Sequence, residues 1–580
     1  MSTEPIDLTL LEPVLHKYHG RRRDALLPML HDAQAVYGWL PTEVQEAVSK
    51  TLRVPLADIH GVIEFYTMFY NRPMARTVVR VCEDVACQLA GCEAIHQAVS
   101  EKLGLQHGQM SVDGGAGRAI AYERVPCLGM CEHAPNALYG EKPAGDLTVT
   151  AVDDFLAGTY PEPDAKIYGE PKLKLFRVGQ IDPLSLDDYL AHEGYVGLQN
   201  AMQHKPEEII QWMDASNILG RGGAMFPVGN KWKFTRAAPG TPAQKHIIAN
   251  CDESEPGTFK DRGLMEEDPF SLVEAMTLAA YVVGAENGWI FIRGEYPRSH
   301  KRLVNAVEKA RAAGYLGKNI LGRPGFNFDI EVRLGAGAYI CGEETALFEA
   351  IEGKRGFPRI KPPFPTTHGL FHQPTAINNV ETLVAALAVA RIGWGEWAAY
   401  GTEDSKGTKW FCLSGHVNQP GLYELPFGVT VRELIEMGGG VKDGRAIQSV
   451  LVGGAAGRFL SPAELDYPLT YASSRNHAFP IGSGVVMVID DQTDMRHTLY
   501  HLAHFFAHES CGKCFPCQIG TQRQMEILHH ISHNGGPQPG DKERLLDVGF
   551  TMTETSLCGL GQTAASAIVS AINLWPELVE

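Results

Sequence analysis

Cys511, Cys514 and Cys517 form a C-x2-C-x2-C run, and Cys558 follows in Ser556-Leu-Cys-Gly-Leu-Gly-Gln. Two-residue spacers let successive thiolates converge on one inorganic centre, and a remote fourth can close it. A [4Fe-4S] cluster is the favoured reading; a four-cysteine zinc site, which also uses C-x2-C pairs, is the bland one. Near the other end, Cys82-x4-Cys87 and Cys127-x3-Cys131 offer two pairs from two loops. That suits a [2Fe-2S] rhomb, in which each iron takes one pair, and it fits zinc ribbons less well. Cys92, Cys251, Cys341 and Cys412 have no partner at ligand spacing and read as small buried hydrophobes.

Between the two sets lie three segments that combine glycines with carboxylates and amides: Gly220-Arg-Gly-Gly-Ala-Met-Phe-Pro-Val-Gly-Asn-Lys231, Asn250-Cys-Asp-Glu-Ser-Glu-Pro-Gly257 and Gly335-Ala-Gly-Ala-Tyr-Ile-Cys-Gly-Glu-Glu344. Glycines let backbone approach a phosphate or a ring, while Asp252, Glu253, Glu255, Glu343 and Glu344 can accept from ribose hydroxyls and amides. Lys231 is placed in sequence to pair with a phosphate, and Asn378-Asn379 adds polar contacts. The pattern is neither a P-loop nor the usual Rossmann fingerprint. Each glycine loop alone would be a plain turn and each acidic run a solvated loop. Together they read as a flavin pocket.

The elements that must position these residues follow from periodicity. Residues 1–72 read as a helical bundle, with apolar positions at helical spacing over Ala25–Tyr37 and over Leu56–Tyr70, its aromatic stripe being core and the bundle having no chemistry of its own. The β-branched run at 77–82, a helix from about 92 to 103 and a strand at 119–122 suggest a small α/β domain over 73–160, followed by a Pro-rich linker. From 168 to 400, strands at 245–250, 288–293 and 328–333 alternate with helices such as 271–283 and 299–313, which implies a sheet layered with helices and ligands at the strands' carboxyl ends. Short strands around a helix at 431–437 make 408–492 a β-rich module, and helices dominate 496–580. The fold class expected is multidomain α/β.

Composition narrows the function. A chain of 580 residues with 44% hydrophobic and 21% charged residues is ordinary for a globular protein of several domains. A formal charge of -17 excludes the basic footprint that nucleic-acid binding needs, and Arg21-Arg22-Arg23 reads as a solvated surface. No apolar run reaches membrane-spanning length and the first residues lack a signal peptide's pattern, so a cytoplasmic location is expected, with membrane contact only through partners. Cysteines in such a setting favour metal or redox chemistry over disulfides.

Taken together, Gly220-Arg-Gly-Gly-Ala, Asp252-Glu-Ser-Glu-Pro-Gly-Thr-Phe-Lys-Asp, Gly335-Ala-Gly-Ala-Tyr-Ile-Cys-Gly-Glu-Glu-Thr, Lys361-Pro-Pro-Phe-Pro, Asn378-Asn-Val-Glu-Thr and Glu509-Ser-Cys-Gly-Lys-Cys carry a specific resemblance. The chain resembles a fusion of two subunits of respiratory complex I, the [2Fe-2S] subunit over residues 1 to about 160 and the flavoprotein subunit over about 170–580. The resemblance implies a helical bundle with a thioredoxin-like [2Fe-2S] domain, an FMN-binding α/β domain, a β-grasp-like module and a C-terminal helical bundle holding [4Fe-4S]. It implies FMN contacts at Gly220, Arg221, Gly222, Lys231, Asn250, Asp252, Gly342, Asn378 and Asn379. NADH contacts are implied at Phe226, Phe234, Glu255, Glu344, Lys361 and Phe364, with aromatic rings stacking on adenine. Met225, where the family usually has glycine, together with Val228, Asn230 and Cys251, departs from its pattern.

The activity implied is that of an NADH:acceptor oxidoreductase, or diaphorase, in which hydride passes between nicotinamide and FMN and electrons then leave singly through the Cys511 cluster. By the resemblance the Cys82 cluster lies on the flavin's other side. NAD is expected over NADP, because Glu255 and its neighbours would repel a 2′-phosphate. Similar fused chains serve NAD-dependent formate dehydrogenases and NAD-reducing hydrogenases besides complex I. Fusion favours the beta subunit of a soluble formate dehydrogenase, whose alpha subunit would carry the molybdenum or tungsten. A non-catalytic, zinc-stabilised assembly protein is the reading from another class.

Overall fold

The computed structural model describes residues 6–111, 119–477 and 479–580; the first five residues, read above for a leader, lie outside them. After a short helix at Glu12–Lys17, the chain forms helices α1 (Leu26–Tyr37), α2 (Thr42–Leu52) and α3 (Leu56–Ile63), which bury Leu26, Met29, Leu30, Val44, Val48 and Ile59 against one another. The helical pattern expected to run on to Tyr70 stops at Ile63 instead. Residues 64–70 turn away, and the amides of Thr67 and Met68 donate to the carbonyls of Gly337 and Ala336 at 3.1 and 2.9 Å. Spacing alone cannot see this, because the competing partners sit some 270 residues away in the chain.

Strands β1 (Thr77–Cys82), β2 (Gln109–Ser111), β3 (Ile120–Val125), β4 (Ala137–Tyr139) and β5 (Lys142–Ala144) make a mixed sheet in the order β2-β3-β1-β4-β5, with β1 and β3 parallel. The β-branched run of β1 is covered on both faces, as its near-continuous burial shows. Cys82 ends β1, and Cys87 sits on the short helix α4 (Val85–Leu89) that follows. Helix α5 (Cys92–Leu103) packs on the sheet through Ile95 and Val99.

A two-residue strand β6 (Ile167–Tyr168) comes next. Helix α6 (Val228–Ala237) then leads to a four-stranded, all-parallel sheet in the order β10-β7-β8-β9, built from β7 (His246–Cys251), β8 (Asn287–Ile292), β9 (Asp329–Leu334) and β10 (Thr375–Asn379). Helices α7 (Lys260–Glu267), α8 (Pro269–Val283), α9 (Pro297–Ala312), α10 (Glu344–Ile351) and α11 (Val380–Ile392) connect and cover it. Helix α8 is buried along its whole length and apolar except at Ser271, Glu274 and Thr277. The register pairs Asn379 with Asn250 and Asn250 with Phe291, so all four strands deliver their following loops to one edge.

The β-rich module closes a six-stranded sheet in the order β14-β13-β15-β11-β12-β6, from β11 (Thr408–Gly415), β12 (Gly421–Pro426), β13 (Ile447–Val452), β14 (Arg458–Leu460) and β15 (Val485–Asp490), with α12 (Val431–Met437) on one face. Its outermost strand is β6, from the region the sequence assigned to the join of two other units. Two residues carry no periodicity, so only the fold reveals their pairing with Leu422 and Tyr423. Helices α13 (Met495–Glu509), α14 (Phe515–His533), α15 (Asp541–Thr555) and α16 (Ser566–Leu574) complete the chain. Among the described residues no helix is long and apolar enough to cross a membrane.

Candidate functional site

The loops after β7, β9 and β10 converge at the carboxyl edge of the parallel sheet, where such folds place ligands. They enclose a cleft with ≈ 800 Å³ of empty space that includes its open mouth, lined among others by Gly222, Asn250, Asp252, Glu255, Lys260 and Asn379. Local chemistry fixes each wall. Asn250, the penultimate residue of β7, donates from its amide to the Gly342 carbonyl at 2.8 Å, so the second and third segments are tied together. Asn379 caps α11 by accepting from the Glu381 amide at 3.0 Å, and its Nδ2 donates to Asp261 at 2.5 Å. Glu343 caps α10 by accepting from the Thr345 and Ala346 amides at 2.8 and 3.0 Å. A Cβ added to Gly222 would press on Asn379 at 3.1 Å, and one on Gly342 on the Asp252 carbonyl at 3.3 Å. Backbone therefore approaches the cleft where a side chain would crowd its neighbours.

The cleft is strongly polar. Burial raises Asp252 to about 7, and burial together with Asp261 raises Glu253 to about 7. Burial also raises Glu255, whose carboxylate accepts from the Tyr339 hydroxyl and, at 2.9 Å, from the Ala456 amide of the β-rich module. Lys260 answers these groups: burial works against its charge, but Asp261, Glu381 and Glu253 outweigh it and hold it above the ordinary lysine range. Its Nζ lies 2.7 Å from Asp261 and 3.0 Å from the Asn379 side-chain oxygen. A buried cation beside glycines and amides suits an anionic, hydrogen-bonding ligand such as a flavin phosphate and ring, and the residues present fit FMN.

Both cysteine sets assemble. Cys82, Cys87, Cys127 and Cys131 are buried, with Cys127 and Cys131 Sγ 3.4 Å apart and Cys82 within thiol hydrogen-bond reach of Cys127 and Cys87. Hydrogen bonds from Cys131 and Cys82 hold Cys127 well below the usual thiol range. The Gly129 amide and Asn136 Nδ2 point at Cys127 and Cys87 at 3.4 and 3.2 Å. Cys511, Cys514, Cys517 and Cys558 line one small pocket with Ile340 and Leu560. Cys514 and Cys558 are helix N-caps, and burial raises the Cys558 thiol to about 11. Among the described residues no group of three or more His, Cys, Asp or Glu has the geometry of a single-ion site. Cys92, Cys251, Cys341 and Cys412 are buried, as expected of small hydrophobes.

The cleft and the two cysteine sets adjoin one another. Ile340 and Leu560 line both the cleft and the Cys511 pocket, so one layer of side chains separates them. On the other side, Arg293 after β8 donates to the carbonyls of Glu253 at 2.7 Å and Cys127 at 2.6 Å. Tyr296 donates to Glu253 Oε2 at 3.1 Å, and Arg262 pairs with Glu132, both beneath the Cys127–Cys131 loop. The N-terminal bundle, expected to have no chemistry, braces the site: His31 Nε2 lies 3.0 Å from the Gly335 carbonyl, next to the bonds from Thr67 and Met68.

Of the residues expected at FMN, the cleft brings together Gly222, Asn250, Asp252, Gly342 and Asn379. Gly220, Arg221, Lys231 and Asn378 stand behind its wall. The Arg221 guanidinium is buried, donates to the Thr408 carbonyl at 2.5 Å and lies over Phe427, while its amide donates to Thr382. Lys231 donates to the Ile377 carbonyl at 2.7 Å, and Asn378 accepts from Trp232 at 3.0 Å. Of those expected at NADH, Glu255 lines the cleft, Lys361 bridges Glu343 and Glu344 at 2.9 and 2.7 Å, and Phe226, Phe234 and Phe364 expose their rings. Met225 takes the left-handed conformation that favours glycine, φ 53°, and packs toward the β-rich module rather than lining the cleft. Sequence reasoning missed Lys260, Asp261, Tyr339 and Ser483 as lining residues. The first three lie inside the glycine- and acid-rich motifs, where charge beside glycine was the available signal; Ser483 belongs to the β-rich module and had none.

Family comparisons cover most of the chain. Residues 11–159 match the thioredoxin-like [2Fe-2S] ferredoxin, 213–388 the Nuo51 FMN-binding domain, 411–455 the SLBB domain and 497–580 the NADH-ubiquinone oxidoreductase-F iron-sulfur binding region. The chain is 43% identical over 418 residues to an NADH-quinone oxidoreductase subunit of Aquifex aeolicus, covering 71% of this chain and 95% of that one. It is 33% identical over 579 residues to the NAD-reducing hydrogenase HoxS subunit alpha of Cupriavidus necator, covering 98% and 93%. A solved NAD+-reducing [NiFe]-hydrogenase in the H2-reduced state superposes with a TM-score of 0.83 at 33% identity, over 95% of this chain and 91% of that one.

Proposed function

Because the chain belongs to the family of FMN- and iron-sulfur-dependent NADH oxidoreductase subunits that includes the Aquifex NADH-quinone oxidoreductase chain and the HoxS subunit alpha, we propose that its cleft takes the flavin and its two cysteine sets carry electrons to or from a partner subunit. The observation that carries this is the shared wall: Ile340 and Leu560 face both the cleft and the four-cysteine pocket. Gly222, Asn250, Asp252, Gly342, Asn379 and Lys260 would hold FMN. Bound there, FMN supplies exchange between a two-electron hydride donor and one-electron carriers.

The protein's own part is positional and electrostatic. Exposed Phe226, Phe234 and Phe364 offer stacking surface for adenine, and Glu255, which lines the cleft, and Glu344, next to the lining residue Glu343, accept from ribose hydroxyls. The same carboxylates disfavour a 2′-phosphate, so NADH is the substrate and NADPH the poor one. The Cys82, Cys87, Cys127 and Cys131 set holds [2Fe-2S], and the Cys511, Cys514, Cys517 and Cys558 set holds [4Fe-4S]. The division into units at 1–72, 73–160, 168–400, 408–492 and 496–580 belongs to this proposal, with β6 reassigned to the fourth.

For the partner we favour the molybdenum or tungsten subunit of a formate dehydrogenase; the end-to-end likeness to the HoxS chain points to a hydrogenase instead. Anaerobic purification of the native complex decides both levels. About one FMN and about six iron per chain, two and four from the two cluster types, with NADH-driven ferricyanide reduction, support the site. A colourless, zinc-bearing protein refutes it. Molybdenum or tungsten in the co-purifying subunit supports the formate reading, and nickel refutes it.

A further inference from the structure

The walls of the cleft lead back to one buried carboxylate, that of Glu381, the second residue of α11, whose side chain has no exposed surface. Its oxygens lie 2.8 Å from Lys409 Nζ, 3.0 Å from Lys174 Nζ and 3.5 Å from Lys260 Nζ, and one of them accepts from the Trp410 amide at 2.9 Å. Lys260 itself lines the cleft. Lys409 also donates, at 3.0 Å, to the carbonyl of Ser483, another lining residue. The Glu381 amide donates to the Asn379 side-chain oxygen at 3.0 Å, the same atom that Lys260 reaches at 3.0 Å. Arg221 lies 3.7 Å from Glu381, and its amide is tied to Thr382 at 2.9 Å, one residue before the lining Gly222.

The cluster holds more cations than anions. Lys174, Lys260, Lys409 and Arg221 have fully buried side chains; against them stand Glu381, Glu424 at 3.8 Å from Lys174 and Asp261 at 2.7 Å from Lys260. Arg221 Nε and Nη2 have no hydrogen-bond partner among the described residues. Burying ions is costly, and apolar side chains of similar volume serve stability as well or better. The cleft gives the surplus charge a use. Asp252, Glu253, Glu255, Asp261 and Glu343 line it, and Lys260 is the one cation among its described lining residues. Asp261 and Asn379 take two N–H groups of the Lys260 ammonium, at 2.7 and 3.0 Å, and leave the third.

We propose that Glu381 is a positioning residue that holds the Lys260 ammonium as the fixed positive charge of the cleft, so that a bound flavin is favoured in its reduced, anionic form. The inference rests on the reading of the cleft as the FMN site. Accepting a hydride from NADH adds one negative charge to a flavin, and NAD+ leaves with the matching positive one. A cleft lined by carboxylates opposes that charge. An ammonium already in place, needing no rearrangement as the charge arrives, offsets it. Glu381 is not among the lining residues, so it acts on the ligand through Lys260.

Redox titration of the FMN- and iron-loaded holoprotein, with the flavin followed optically and the clusters by EPR, reads this preference directly. K260M should lower the preference for reduced over oxidised flavin at least about tenfold, which is about 30 mV for a two-electron couple. K260R, which keeps the charge, should stay within about threefold of wild type. E381Q, measured at pH 8 where the lysines it frees can shed protons, should shift the flavin in the same direction as K260M by about threefold or more. A carboxylate acting only through its own charge would shift it the opposite way on removal. K260M leaves Glu381 paired with Lys174, Lys409 and Arg221, so it carries the test if E381Q does not fold. Equal preferences in wild type and K260M, an E381Q shift of opposite sign, or a K260R variant as impaired as K260M would overturn the proposal. A wild-type protein that binds no flavin would refute instead the FMN reading on which it rests.

Discussion

Replacing Glu381 by glutamine should destabilise the protein in a way whose pH dependence identifies the cause. The Glu381 carboxylate is fully buried, 3.0 Å from Lys174 Nζ, 2.8 Å from Lys409 Nζ, 3.5 Å from Lys260 Nζ and 3.7 Å from Arg221 Nη1. Burial opposes its charge, yet Lys174, Lys409 and Lys260 hold it well below the usual carboxylate range. Burial pushes Lys174 and Lys409 down to about 8 even with Glu381 in place. By Coulomb's law each close pair would be worth roughly 5–6 kcal/mol at an effective dielectric of 20. An unpaired lysine has a cheaper escape, because losing its proton at pH 7 from a pKa of about 8 costs only about 1.4 kcal/mol. The escape wins, so the two lysines together cap the loss near 3 kcal/mol, the lower end of the range for broken buried pairs.

The sign with pH follows from linkage. Both lysines have folded values below their unfolded 10.4, so in wild type they add stability as pH rises from about 8 to 10 and are neutral to pH below that. Without Glu381 their folded values fall further, and that rise begins lower. The deficit of Glu381→Gln should therefore grow by about 2.7 kcal/mol per unit as pH falls from 8 to 6 and fade above 8. Thermal unfolding followed by circular dichroism and flavin release should show the transition of the 168–400 unit, about 230 residues, about 6–12 °C lower at pH 7. A deficit that is constant between pH 6 and 8.5, or below about 2 °C at pH 7, would refute the reasoning.

Four further substitutions probe the junctions. In Gly129→Ala the new Cβ would lie 2.1 Å from the Tyr296 hydroxyl at a φ of 68°; about two irons per chain should be lost with FMN retained, and unchanged iron content would count against the docking described. Gly337→Ala places Cβ 2.3 Å from Thr67 Oγ1, so the bundle should release the glycine loop and FMN should dissociate at least about tenfold more readily in fluorescence titration, roughly 1.4 kcal/mol; equal affinity would show that the brace is idle. Cys558→Ser should abolish the four-iron EPR signal and electron delivery to the partner while NADH-driven ferricyanide reduction persists. Glu255→Ala should raise the NADH KM about tenfold or more, as loss of a charged hydrogen-bond acceptor does, with FMN content unchanged; an unaltered KM removes Glu255 from the substrate site.

How much of this was legible beforehand depended on the range of the information. The C-x2-C-x2-C spacing, the β-branched run of β1 and the alternation of strands with helices are local, so the amino-acid sequence by itself determined the cluster types and the parallel sheet, and it pointed to the edge where the loops converge. Arg221 and Lys231 show the limit. Lys231 is read from its place beside glycines as a phosphate partner and Arg221 by the resemblance as an FMN contact; in the structure Arg221 donates to the Thr408 carbonyl and Lys231 to the Ile377 carbonyl, partners that only the fold brings near. Lys260, one residue before Asp261 in the same acidic motif as Asp252, is the cation aimed at the cleft. Likewise the strand β6, the brace from Thr67 and Met68 and the layer of Ile340 and Leu560 between two centres join residues far apart in the chain. Only tertiary structure decided them, because their energies come from long-range packing and hydrogen bonds that leave no periodic trace in sequence.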